Sequence, residues 1–374
     1  MDPFGSSLSK TVIEGDPSQD TIATGGDSNH HDTCVAIVLV NWNGWKDCVD
    51  CIDSLLGGIV EPFHVYLVDN ESSDESVERI IEWCESPRPL PEIGHFPGVR
   101  RYSDGSNLPS VSWRLIDEAN APALRRRNDC CISLIRSGGN LGFAGGNNIG
   151  IRLAMAADAQ WIWLLNSDTV VHHGALASLL ARARALPDAG IIGSTLVYYH
   201  EPQTVQALGG GWLNRRTFVP DHIGGGTHLD QVPRDPHEVE AKMAYVMGAS
   251  MLVSRRFVEN VGLMQEDYFL YFEELDWAQR GKDKFRQGWA PTSVVWHKAG
   301  GSTSKEIPAF SMRLMTQNRL KFVARFFPDH IGSARRQLAW EYVRHVLKGR
   351  SSAARVVRAV LWPPRERSAA DGKA

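Results

Sequence analysis

The feature that most constrains this chain is a recurring unit: a short apolar run that ends abruptly in asparagine, aspartate or serine. Val35–Val40 runs into Asn41-Trp42-Asn43-Gly44, Val65–Val68 into Asp69-Asn70, and Trp161–Leu165 into Asn166-Ser167-Asp168. A run without polar alternation, closed by turn residues, marks a strand buried on both faces. Helical stripes lie between such runs: Trp45, Cys48, Val49, Ile52, Leu55 and Leu56 after the first, and Val77, Ile80, Ile81 and Cys84 after the second. Ser72 or Ser73 is placed to cap that second helix. Alternating strand and helix predicts an α/β fold with a mostly parallel central sheet and flanking helices. Further strands are expected at Ile132–Ile135, from Ile191, over Tyr245–Val253 and over Ser293–Val295. Helices are expected around Ile149–Ala156 and near Ala175–Leu186.

Three regions depart from this rhythm. Residues 1–32 are rich in Ser, Thr, Asp and Gly without apolar periodicity, and read as a disordered tail. Residues 86–128 carry Pro87, Pro89, Pro91, Pro97, Pro109, Pro122 and the run Arg125-Arg126-Arg127, and read as a structureless insertion in a catalytic domain spanning 33–307. Residues 308–374 read as a helical, basic segment. From Arg335 onward it holds ten Lys and Arg against three acids. Trp340, Val343, Leu347, Val357 and Leu361 supply apolar faces there. A basic amphipathic helix suits peripheral association with an anionic membrane. A helix packed on the catalytic domain with a solvated basic face suits the same residues, and both readings stay open.

A formal net charge of -3 over 374 residues gives no reason to expect nucleic acid as a partner. Cys48 and Cys51 form a C-x-x-C without a second pair or a histidine pair, which points to reduced thiols rather than zinc. No signal-like N-terminus and no apolar run of about 18 residues occurs, so a cytoplasmic site is expected.

In open parallel sheets, ligands bind beyond the carboxyl ends of the strands. Any one of the three polar clusters is ordinary turn chemistry. Together they line one sheet edge and place Asp69 and Asp168 in one crevice. Gly138–Asn148, with Asn140, Gly142, Asn147 and five further glycines or asparagines, opens a helix at the same edge. Such a loop either lets backbone approach an anion closely or makes a tight turn. It lacks the Gly-Lys-Ser/Thr of a Walker loop and the spacing of a dinucleotide fingerprint, which disfavours an oxidoreductase. The densest acidic cluster is Tyr271-Phe272-Glu273-Glu274-Leu275-Asp276-Trp277. On a helix, Glu273 and Asp276 share a face and Glu274 points elsewhere. The plain reading is a solvated first turn. The aromatic surroundings favour a desolvated carboxylate with a raised pKa, fit to act as a base. His297, ahead of Gly300-Gly301-Ser302, is either structural or a metal or phosphate contact.

The motif order VLVNWNG, LVDNESSDES, GGNLGFAGGNNIG, WLLNSDTVV, YVMGASMLVSRR, YFLYFEELDWAQR and VWHKAGGST resembles family 2 glycosyltransferases across Val35–Lys321. The nearest group resembled is the bacterial rhamnosyltransferases of cell-wall and surface polysaccharides. The resemblance implies a GT-A fold and inversion at the anomeric carbon. It implies that Asp69 contacts the nucleobase or ribose of a nucleotide-sugar donor, with Asn41, Asn43, Asn70, Asn140, Gly142, Asn147 and Asn166 completing the donor site. It implies Asp168 and His297 as ligands of Mg2+ or Mn2+, with Asn166 standing where the family carries an acid. Glu274 takes the place of the catalytic base, with Glu273 as the fallback. The expected reaction moves L-rhamnose from dTDP-rhamnose to a hydroxyl of a polysaccharide or lipid-linked saccharide. The alternatives are a UDP-hexose or UDP-galactofuranose donor, or a non-catalytic nucleotide-sugar-binding homologue.

Overall fold

The computed structural model describes residues 35–86, 96, 99, 111–117, 131–299 and 308–363. The expected 1–32 tail, most of the 86–128 insertion, the turn at 300–302 and residues 364–374 lie outside the described residues.

The first half alternates as expected: β1 (Val35–Asn41), α1 (Trp45–Gly58), β2 (Phe63–Asp69), α2 (Ser76–Glu85), β3 (Trp113–Asp117), β4 (Ile132–Arg136), α3 (Gly142–Ala156), β5 (Trp161–Asn166), β6 (Thr169–Val171), α4 (Ala175–Ala185) and β7 (Ala189–Tyr198). A less regular stretch follows: β8 (Glu201–Leu208), β9 (Gly210–Leu213), β10 (Pro220–His222), α5 (His237–Glu240), β11 (Tyr245–Val246), β12 (Ser250–Ser254) and α6 (Arg255–Val261). The chain closes with α7 (Glu273–Gly281), β13 (Arg286–His297), α8 (Ala309–Phe326), α9 (Ile331–Leu347) and α10 (Ser351–Leu361).

The main sheet runs β3-β4-β2-β1-β5-β12-β7-β13-β6, with β8 paired to β7. Its β3-to-β5 half is wholly parallel, while β12 runs antiparallel between β5 and β7. This mostly parallel α/β sheet with a helical C-terminal segment is the architecture the sequence predicts. Both faces are buried, as the unalternating apolar runs require. Val35, Ile37 and Leu39 of β1 pack in one core with Cys48, Ile52, Ile80 and Leu176. Ala36 and Val38 pack in a second with Ile149, Leu153, Phe257 and Trp277. Register sets the functional edge: Asn41 lies beside Asp69, and Val40 beside Asn166, so the three polar strand ends stand side by side.

The structure corrects four local expectations. The 86–128 insertion is not structureless throughout, because β3 pairs in parallel with β4 from within it. Five residues on a sheet edge give too short a pattern to read against surrounding prolines and arginines. Tyr245–Val253 is not one strand; it breaks into β11 and β12 around a turn at Gly248. The helix expected near Ile149 begins earlier, at Gly142, inside the glycine-rich stretch. Ser72 and Ser73 do not cap α2, which starts at Ser76 with Asp74 Oδ1 accepting its N–H at 3.0 Å. Ser72 instead bonds Asn41 at the end of β1, and Ser73 bonds Asn43 in the turn after it.

Among the described residues, no helix is long and apolar enough to cross a membrane. The described cysteines Cys48, Cys51, Cys84 and Cys131 are free thiols, and burial pushes Cys51 up to about 12.

Candidate active site

The floor of the edge is a closed polar knot. Asn41, at the end of β1, donates from Nδ2 to Asp69 Oδ1 at 2.9 Å and to Ser72 Oγ at 3.0 Å. Its Oδ1 accepts from the Gly44 amide at 3.2 Å. Asp69 also accepts from the Ser72 hydroxyl at 2.6 Å and the Ser72 amide at 3.1 Å. Asn43 Oδ1 accepts the Ser73 amide at 2.8 Å. These groups hold the β1–α1 and β2–α2 turns together. Asn41 and Asp69 are buried in that knot, behind the cavity wall.

Above the floor opens a cavity of about 460 Å³, within the size range of small-molecule sites. Asn70, Asn140, Asn147, Asn166 and Asp168 give it polar points, and Trp42, Phe143, Phe269 and Phe310 give it aromatic walls. Gly142 lines it too, at the start of α3, with φ +69°. Asn70 fixes the glycine-rich turn: its Oδ1 accepts the Leu141 amide at 3.0 Å, and its Nδ2 donates to Gly142 O at 3.1 Å. The cavity therefore faces the N-terminus of α3, whose Leu141, Gly142 and Phe143 amides are bonded to Asn70 Oδ1, Asn140 Oδ1 and Phe269 O.

At one end of the cavity Asp168 meets His297. Asp168 sits in the turn from β5 to β6, and His297 ends β13, which pairs antiparallel with β6. Nε2 of His297 lies 3.3 Å from Asp168 Oδ1 and 3.3 Å from Asn166 Nδ2. On its other side, Nδ1 lies 2.9 Å from Oε1 of buried Gln206 in β8. With the amide oxygen assigned to that position, Nδ1 carries the proton and Nε2 presents its lone pair towards Asp168. Such a partner behind a ligating histidine fixes its tautomer and orientation. Gln206 has no motif around it and shows itself only through the β7–β8 pairing.

The carboxylate pair sits at the start of α7. Glu274 projects to the Gly248 turn, where a Cβ on Gly248 would stand 2.7 Å from its Oε1 and 3.1 Å from Phe143 Cζ. A side chain there would displace the Glu274 carboxylate. The next residue, Ala249, accepts the Asn166 amide at 3.1 Å, so one short turn joins Glu274 to the Asp168 end. Burial raises the Glu274 pKa, and the Gly248 amide works against that rise. Glu273 points into the protein, 1% exposed, and its Oε2 has no partner. Burial, then the charge of Glu274, push its carboxyl well above the usual range. Asp276 is a structural anion. It is buried, accepts Arg280 Nε at 2.7 Å and Tyr268 OH at 3.1 Å, and pairs with Arg325 at 3.0 Å.

The segment before α7 is strained. Phe269, Tyr271 and Phe272 have φ of 64°, 70° and 76°. Phe269 lies at the centre of a tight turn with ψ -56°, where the Leu270 amide donates to Tyr268 O at 2.7 Å. A buried asparagine on α8 holds this conformation: Asn318 Nδ2 lies 2.8, 2.8 and 2.9 Å from the carbonyls of Tyr268, Leu270 and Tyr271. Phe269 O in turn accepts the Phe143 amide at 2.7 Å, tying the strained segment to α3. Asn318 carries no sequence signal, since one asparagine in a helical stretch reads as a surface residue.

Of the residues singled out from sequence, Asn70, Asn140, Gly142, Asn147, Asn166 and Asp168 line the cavity. His297 and Glu274 back it from two sides. Asn41, Asn43 and Asp69 frame it, and Glu273 is withdrawn. Among the described residues, no group of three or more His, Cys, Asp or Glu could hold a metal ion. Asp168 and His297 are a carboxylate and an imidazole in contact, a pair of that size short of such a group.

Residues 103–233 match the family description Glycosyl transferase family 2. The chain is 28% identical over 231 residues to the N-acetylglucosaminyl-diphospho-decaprenol L-rhamnosyltransferase of Mycobacterium tuberculosis, covering 56% of this chain and 71% of that protein. It is 24% identical over 172 residues to the low-salt glycan biosynthesis hexosyltransferase Agl10 of Haloferax volcanii, covering 45% of this chain and 52% of that one. Among solved structures, the mannosyltransferase PcManGT of Pyrobaculum calidifontis, in complex with GDP-Man and Mn2+, superposes with a TM-score of 0.46 at 13% identity, over 87% of this chain and 73% of that chain.

Proposed function

We propose that this chain is a family 2 glycosyltransferase and that it moves L-rhamnose from dTDP-rhamnose to a hydroxyl of a lipid-linked saccharide with inversion. The observation that carries the proposal is the meeting of the Asp168–His297 pair and Glu274 around one cavity. The mycobacterial relative, named for rhamnosyl transfer to a lipid-linked N-acetylglucosamine, supports the choice of donor and acceptor.

In this reading the nucleotide lies in the 460 Å³ cavity, with Trp42 and Phe143 offering faces for the base. Asn41 and Asp69 position the turns that carry Trp42 and Asn70. The diphosphate lies towards the Asp168 end. The oxygen of Asp168 and the neutral nitrogen of His297 fit Mn2+ well and Mg2+ acceptably. A divalent ion held there neutralises the leaving nucleoside diphosphate. Glu274 takes the proton of the acceptor hydroxyl as its oxygen attacks the anomeric carbon and the bond to the diphosphate breaks. A carboxylate raised by burial suits that work near neutral pH. Glu273 points into the protein, which leaves Glu274 as the base.

The test is a donor screen with Mg2+ or Mn2+, reading nucleotide release and product anomer. Rhamnosyl transfer by the wild type and none by Glu274→Gln supports the proposal. Turnover of UDP-hexose or UDP-galactofuranose in preference to dTDP-rhamnose would replace the donor assignment. Donor binding without turnover under every metal and acceptor condition would point to a non-catalytic homologue.

A further inference from the structure

Helix α9 carries two apolar faces where a packed helix needs one. Ala334 and Leu338 are buried against the rest of the C-terminal helices, with Leu338 packed beside Val357 and Leu361 of α10. Away from that side, Trp340, Val343, Val346 and Leu347 are 56%, 50%, 52% and 81% exposed. The i, i+3, i+6 and i+7 spacing places these four on one stripe of the helix. A contiguous exposed stripe of this kind marks a contact surface.

The charge around the stripe is of one sign. Arg336, Arg344 and Lys348 are exposed along its flanks, and Arg350 follows at the helix end. Arg344 lies over the Trp340 ring, 5.1 Å from its centroid. The acid of α9, Glu341, is turned inward and held by Arg319 at 2.8 Å. Arg355 and Arg358 of α10 extend the same basic composition.

We propose that this face of α9 seats the protein on an anionic membrane surface, with the apolar stripe entering the headgroup region and the flanking cations meeting lipid phosphates. A second copy of the chain is the poorer partner, because a two-fold contact would press these cations against themselves. The proposal goes beyond the transfer reaction and does not depend on which sugar is moved. It also gives α8, whose Phe310 lines the cavity and which packs on α9 and α10, a place between the cleft and the bilayer.

The experiment is co-sedimentation of the full chain with vesicles of phosphatidylcholine alone or with one-third phosphatidylglycerol. Binding at least ten-fold tighter to the anionic vesicles, weakened by added salt, is expected. Each cation near the surface is worth about a five-fold change in partitioning. Arg344→Glu with Lys348→Glu therefore loses at least twenty-fold, and Val343→Ser with Leu347→Ser also releases the protein. Unchanged circular dichroism melts separate these losses from misfolding. Donor turnover on a soluble acceptor stays at the wild-type rate in both variants, so this test fails separately from the assigned reaction. Equal binding to neutral vesicles, no binding at all, or a solution dimer that Leu347→Ser dissociates would overturn the proposal.

Discussion

Nε2 of His297 lies 3.3 Å from Oδ1 of Asp168, and the opposite ring nitrogen lies 2.9 Å from Gln206 Oε1. The imidazole is thus held between a carboxylate at the cavity and a buried amide behind it. If the pair binds the metal, the amide sets how well. Gln206→Leu is expected to weaken Mn2+ binding about 10–100-fold while leaving the fold intact. Asp168→Asn is expected to remove binding altogether. Calorimetric titration of Mn2+ in the presence of a nucleoside diphosphate reads both. Wild-type affinity in Gln206→Leu would remove the amide from the site's function.

The base assignment makes a kinetic claim. Glu274→Gln is expected to lower kcat about 10²–10⁴-fold with little change in donor affinity. Both carboxyls of the pair are raised, so the acid limb of the wild-type kcat/KM profile lies above the ordinary glutamate value of about 4.3. The pair titrates as a unit, and the limb belongs to both carboxyls. A limb at or below the ordinary value would contradict a desolvated base.

Glu273 makes the opposite claim, about stability. Its folded pKa is raised, so the folded state holds its proton where the unfolded chain has released it. Its contribution is fully present below the unfolded value and is lost as pH rises through the folded one. Glu273→Gln removes the ionisation and is expected to raise the melting temperature near neutral pH, by a gain on the order of 1 kcal/mol. Melting curves across pH 4–8 should be flatter in the variant than in the wild type. A variant less stable than the wild type throughout would show that the Glu273 charge is favoured.

Asn318 offers a test of strain. It holds three carbonyls of a segment with three residues at positive φ, directly before α7. Asn318→Ala leaves those carbonyls without this donor and is expected to cost about 2–4 kcal/mol in urea unfolding. Catalysis should fall further than folding requires, because Phe269 relaxes away from α3 and Glu274 moves with it. Wild-type kcat in a variant that is folded at assay temperature would separate the clamp from the chemistry.

How much of this was legible in the sequence follows from what each feature depends on. The sheet and its polar edge were readable because strand ends and strand polarity are local: Val35–Asn41 and Trp161–Asn166 state both in one run of residues. Motif positions also singled out Asp168, His297 and Glu274, and the fold brings Asp168 and His297 into contact. The roles of neighbours were not readable, because they arise from register. Asp69, expected from the resemblance to contact a nucleobase or ribose, is buried in the knot at the floor, since pairing with β1 puts the Asn41 amide against it. Gln206, Gly248 and Asn318 carry no local pattern, and matter only through what folding brings beside them. Glu273 and Glu274 are chemically alike, and only the fold shows that Glu273 points into the protein while Glu274 reaches the Gly248 turn.

The glycine-rich stretch allows a comparison within one loop. Gly142 has φ +69°, and a Cβ there would stand 2.3 Å from Phe269 O and 2.6 Å from Phe269 Cδ2. Three residues earlier, a Cβ on Gly139 would meet nothing closer than Leu141 Cδ2 at 3.9 Å. If these glycines only make a flexible turn, alanine at either position has the same effect. If Gly142 lets α3 dock against the strained segment, the two differ. Gly142→Ala is expected to cost about 2 kcal/mol or more, from unfavourable backbone and a collision with a carbonyl that cannot move without releasing the Phe143 amide. It should also weaken nucleotide binding, because Phe269 and Phe143 both wall the cavity. Gly139→Ala is expected to stay within about 0.5 kcal/mol of the wild type. Thermal melts with and without nucleoside diphosphate compare them directly. Equal losses in the two variants would reduce the loop to a hinge and leave the α3 contact without a role in forming the site.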